Sequence, residues 1–63
     1  MAVSGYRNWE QKAAWNGREV VRYLRLARLA SSKRQFVSRL HWAVVHATAA
    51  WKLAVKATAE TAR

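Results

Sequence analysis

SKRQFVSRLHWAVVHATAAWKLAVKATAETAR, residues 32–63, contains neither glycine nor proline. Nothing in its backbone chemistry forces a helix begun at Ser32 to stop before Arg63. Ser32 can accept a hydrogen bond from the first helical turn, and Gln35 stands where a capping box places Glu or Gln. At ~100° per residue, Phe36, Leu40, Ala43, Val44, Ala47, Trp51, Ala54, Val55, Thr58 and Ala62 fall on one stripe, which reads as the core face. Trp42, Val45, Ala49 and Leu53 form a second stripe, flanked by Arg34, Arg39, Lys52 and Lys56. A helix with two apolar stripes needs a partner for each.

Upstream, Asn8 with Gln11 and Glu10 reads as the start of a first short helix that sets Tyr6, Trp9 and Ala13 on one face and turns Trp15 away. Asn16-Gly17 reads as a turn or C-cap. A second helix follows over Arg18 to Ala30. Its apolar side carries Val20, Tyr23, Leu24, Ala27 and Ala30; Arg18, Arg22, Arg25 and Arg28 make an arginine stripe on the other. Ser31-Ser32 then breaks the chain before the long helix. No alternating apolar pattern supports a strand. The expected fold is all-α, a single small domain over 1–63 built as a bundle of about three amphipathic helices with a long C-terminal one.

The chain has 63 residues, and a domain of that size buries only about 60% of the surface its unfolded chain exposes. With no cysteine, neither disulfides nor thiolate zinc sites can staple it. Stability must come from packing or association. Twelve Lys and Arg stand against three Glu and no Asp, a formal charge of +9. Such a charge favours anionic partners, and a guanidinium fork suits phosphate oxygens of either lipid or nucleic acid.

Glu10, Glu19 and Glu60 each have basic neighbours to occupy them. His41 and His46 are five positions apart and point ~140° from one another on a helix, so they cannot share a metal within one chain. Neither catalysis, a cofactor, a metal nor a small-molecule substrate is expected. The longest run free of Lys, Arg and Glu, Leu40 to Trp51, is well short of the roughly 20 residues that cross a bilayer. The N-terminus lacks the basic start and apolar core of a signal peptide. The four Trp say more. Trp51 reads as core, whereas Trp15 and Trp42 point off the main apolar face. There a ring with one polar N–H suits a membrane interface, stacking on bases, or contact with another copy through the Trp42 stripe.

Ala13-Ala14-Trp15-Asn16-Gly17-Arg18, followed by Tyr23-Leu24, resembles the leaderless bacteriocins of the aureocin and lacticin type. Those are small, cysteine-free, Trp-rich cationic peptides in which Ala-Trp precedes a basic segment with Gly and then an aromatic–aliphatic pair. Trp15, Gly17, Tyr23 and Leu24 match in kind, although this chain prefers Arg to Lys and ends in the Ala- and Thr-rich segment Ala57 to Ala62. The resemblance implies a saposin-like helical bundle that attacks membranes without a receptor, secreted without a recognisable signal peptide.

The residues themselves reach a similar place, basic, amphipathic, Trp-bearing helices without a catalytic set, and together with the resemblance they lead to the expectation of a cationic, membrane-active antimicrobial peptide of bacteriocin type. Arg18, Arg22, Arg25, Arg28, Lys52 and Lys56 would meet anionic lipid, and Trp15, Trp42, Val45 and Leu53 would enter the interface. The alternative is a basic nucleic-acid-binding protein or a small structural subunit, of a phage or other assembly, in which case the chain would be cytoplasmic.

Overall fold

The computed structural model describes residues 5–61, with side chains over 8–60. Two helices, α1 (Gly5–Arg28) and α2 (Lys33–Thr61), pack against each other as an antiparallel hairpin. The all-α expectation holds, but there are two helices rather than three. The break at Ser31-Ser32 is present, with the preceding helix ending at Arg28 rather than Ala30; the one at Asn16-Gly17 is not.

Asn16 and Gly17 stay helical because each has its local needs met within α1. Gly17 adopts no positive φ, and the Asn16 Nδ2 amide donates to the Lys12 carbonyl at 3.0 Å along the same helix. A helical glycine costs about 1 kcal/mol relative to alanine. Breaking α1 there would cost more, since Trp9, Ala13, Asn16, Val20, Tyr23, Ala27 and Ala30 continue one row of half-buried or buried positions through that point. Asn8 and Glu10 consequently lie inside α1 rather than at its start. The side chain of Tyr6, the Ala62 end of the predicted stripe and Arg63 lie outside the described residues.

The start of α2 follows its sequence signals. Ser32 Oγ accepts from the Gln35 amide at 3.2 Å, and the Ser32 carbonyl accepts the first helical bond from Phe36. Gln35 Oε1 reaches back one residue further than a standard capping box, accepting from both the amide and the hydroxyl of Ser31. These bonds offset Lys33 and Arg34, whose charges are unfavourable at a helix N-terminus. Arg25 and Arg28, in the last turn of α1, suit that end of the dipole. Arg39 adds a tie between the helices by donating to the Leu26 carbonyl at 2.7 Å.

The face of α2 that packs on α1 is not the predicted one. Arg39, Ala43, His46, Ala50, Leu53 and Ala57, at alternating steps of four and three, form the seam, with Leu40 and Ala49 beside it. Of the stripe read as core, Phe36, Val44, Ala47, Trp51, Ala54, Val55 and Thr58 remain exposed, Val44 at 62% and Trp51 at 70%. The reason is that a hydrophobicity wheel gives no weight to Arg39 and His46. Both face α1 because it offers each a polar partner. Only Ala27 at 3% and Ala43 at 4% are fully buried among the described residues, so the hairpin joins through small side chains.

Replacing Ser32 by Ala is expected to destabilise the fold by about 1 kcal/mol, the usual worth of a serine N-cap. Chemical denaturation followed by circular dichroism measures it; an unchanged midpoint would show that Gln35 alone holds the start of α2.

Candidate functional site

The antiparallel seam gives the hairpin two flanks of different chemistry. Side-chain contacts across it, His46 to Trp15 and Lys56 to Trp9, show which sides of the helices share a flank. One flank takes from α1 and the turn after it the row Lys12, Trp15, Glu19, Arg22, Leu26 and Leu29, and from α2 the row Trp42, Val45, Ala49, Lys52 and Lys56. Both rows advance in steps of four and three, so they keep a constant relation to the seam. Trp15, Trp42, Val45 and Leu29 are exposed there among four cations.

Three of these cations are held against aromatic rings. Lys56 Nζ stands 4.7 Å and Lys12 Nζ 5.1 Å from the Trp9 ring centroid, and the Arg22 guanidinium 5.3 Å from that of Tyr23. Arg22 also meets Glu19 at 2.9 Å. Such an exposed pair is worth about 0.2–0.5 kcal/mol, too little to remove Arg22 from other anions.

A polar cluster in the seam fixes how this flank is assembled. Since Asn16 Nδ2 donates to the Lys12 carbonyl, Asn16 Oδ1 is the acceptor and His46 Nδ1 the donor of their 2.8 Å bond. The imidazole stacks on Tyr23 at 5.6 Å and 12° and takes Trp15 edge-on at 5.6 Å and 74°. His46 therefore belongs to the seam rather than to an outer apolar face. His41 is exposed and edge-on to Trp42. No group of three or more His, Cys, Asp or Glu among the described residues could hold a metal ion.

Of the predicted insertion residues, Trp15, Trp42 and Val45 come together on the basic flank and Leu53 does not. Its side chain is half-buried in the seam against α1, which corrects its expected role. Lys52 and Lys56 share the flank. Arg18, Arg22 and Arg25 border one shallow depression on the outer side of α1, and Arg25 and Arg28 the next, so the arginine stripe is continuous. Among the described residues no ion pair involves Arg18, Arg25 or Arg28. No described helix is long and apolar enough to cross a membrane. The chain matches no protein-family model, no curated protein and no solved structure.

Sequence reasoning missed the Asn16–His46 tie. Its signal was present: Asn16 occupies a four-and-three row of otherwise apolar residues, and His46 one whose other members are apolar or small apart from Arg39, where a polar pair sets register. In a double-mutant cycle, Asn16→Ala and His46→Ala should each cost about 1 kcal/mol, and the double variant less than their sum. Strict additivity in denaturation experiments would show that the pair does not act as a unit.

Proposed function

We propose that the flank bearing Trp15, Trp42 and Val45 binds anionic membrane surfaces and disorders them. One observation carries this reading. Exposed tryptophans and a valine share a flank with Lys12, Arg22, Lys52 and Lys56, on helices too polar to span. Cations near an anionic surface contribute about 1 kcal/mol each. Once they have brought the hairpin down, the indole rings enter the headgroup layer with the N–H still wet. A hairpin lying flat wedges one leaflet apart, which is how interfacial amphipathic helices perturb bilayers. The resemblance to leaderless bacteriocins at Ala13 to Leu24 points the same way, toward an antimicrobial peptide acting on bacterial membranes without a receptor. The reading needs no catalytic group.

The arginine stripe favours a second reading. Arg18, Arg25 and Arg28, without an ion pair among the described residues, run along the outer side of α1, a spacing that could follow a phosphate backbone. Binding of that kind weakens linearly with log salt, with a slope near −0.9 per phosphate on duplex DNA.

Vesicle partition separates the two. The expected result is a blue shift of Trp emission and dye leakage on anionic vesicles and little on neutral ones. Trp15→Ala and Trp42→Ala should each weaken partition by about 1 kcal/mol, roughly five-fold. Silence on anionic vesicles together with tight, salt-sensitive DNA binding would replace the membrane reading by the nucleic-acid one.

A further inference from the structure

The opposite flank is apolar and holds no lysine or arginine over most of its length. On α2 it consists of Val37, Leu40, Val44, Ala47, Trp51 and Ala54, again at steps of three and four. That is a second heptad row beside the one facing α1, sustained without a charge. In a chain of formal charge +9, a charge-free row this long is a feature to be explained. Lipid requires no 3.5-residue period, because an interface accepts any broad apolar face. A packed helix does require it, since only that period keeps the contact aligned.

On α1 the matching row is Glu10, Ala14, Gly17, Val21, Leu24 and Arg28. It is apolar or small in the middle and carries opposite charges at its ends. Gly17 is its most telling member. It has no positive φ, and a Cβ built on it would meet no atom within 4 Å, so neither a turn nor the hairpin itself calls for glycine.

We propose that this flank is the contact between two copies of the chain, stacked face to face as an antiparallel four-helix bundle. A two-fold axis level with Glu19 sets Glu10 of each copy against Arg28 of the other, Ala14 against Leu24, and Gly17 against Val21. Large side chains thus meet small ones, and opposite charges meet at the ends. The contacts Leu26–Arg39, Asn16–His46 and Trp9–Lys56 place Val45 and His46 at about the level of Glu19 on α2. The same axis therefore sets Val44 against Ala47, Leu40 against Trp51, and Val37 against Ala54. Gly17 becomes the site where Val21 of the second copy enters.

The dimensions agree. The hairpin spans 47 × 19 × 11 Å, one layer of helices whose broad side, 47 × 19 Å in outline, has room for a contact between copies. A standard interface takes ~800 Å² from each partner. The flank with Trp42 is a poorer contact between copies, because it would set Lys52 and Lys56 of one chain against cations of the other.

Sedimentation equilibrium on the whole chain, from micromolar to millimolar, should give twice the mass of one chain. Val44→Lys, which alters a side chain exposed in the hairpin, should weaken the dimer by about 100-fold or more through an unpaired charge in the contact. Val45→Lys on the other flank should not. Since Val44→Lys could also unfold a chain that folds only as a dimer, cross-linking supplies the second measurement. The chain has no cysteine, so mild oxidation of a mixture of Val44→Cys and Ala47→Cys chains should yield mainly the mixed disulfide dimer. A monomer at every concentration, a dimer that Val45→Lys dissociates and Val44→Lys does not, or no preference for the mixed disulfide would each overturn the proposal.

Discussion

Two helices laid side by side share one seam, and here that seam is made of alanines interrupted by polar pairs. Its small side chains bury little apolar area. Specificity of alignment comes instead from directed contacts. Asn16 meets His46 near the middle, Arg39 closes on the Leu26 carbonyl near the turn, and Lys56 covers Trp9 toward the open end. An apolar seam of similar volume could slide by a turn at little cost. These three contacts cannot, because each groups a donor or cation with one particular acceptor or ring. Register of the hairpin, and with it the composition of both flanks, depends on them.

Charge distribution follows from that register. The arginine stripe occupies the side of α1 remote from α2. Lys12, Arg22, Lys52 and Lys56 gather on one flank, and the other is left apolar between Glu10 and Arg28. A hairpin shifted by one residue would mix these sets and lose the separation. Self-repulsion in a strongly basic chain is lowest when cations face solvent or an anionic surface. The observed arrangement achieves this for all four arginines of the stripe.

The helical class, the break at Ser31-Ser32 and the Ser32 cap were legible in the sequence because they depend on local chemistry. The phase of α2 was not. Phe36, Val44 and Trp51 make the most hydrophobic stripe, and by hydrophobicity alone they should be inside. Across the seam Asn16 pairs with His46 and Arg39 with the Leu26 carbonyl, contacts that no single-helix wheel contains. Likewise Asn16-Gly17 has the chemistry of a helix end, and the row from Trp9 to Ala30 outweighed it. Most of the candidate flank was legible, in that Trp15, Trp42, Val45, Lys52 and Lys56 were picked out. That Leu53 belongs to the seam became visible only with α1 in place.

A single layer of helices leaves the two flanks as separate problems for the chain. The basic, Trp-bearing flank can remain in water, since its cations are hydrated and its rings expose a polar edge. The flank of Val44 and Trp51 has no such provision. Water against it carries the ordinary cost of hydrating apolar surface, about 25 cal/mol per Å², and among the described residues no helix other than α1 and α2 is present to cover it. A second layer removes that cost while leaving Arg18, Arg22, Arg25 and the Trp42 flank outside, with Arg28 at its edge. In such a pair the two basic flanks face in opposite directions, so one assembly presents two separate surfaces to anionic partners.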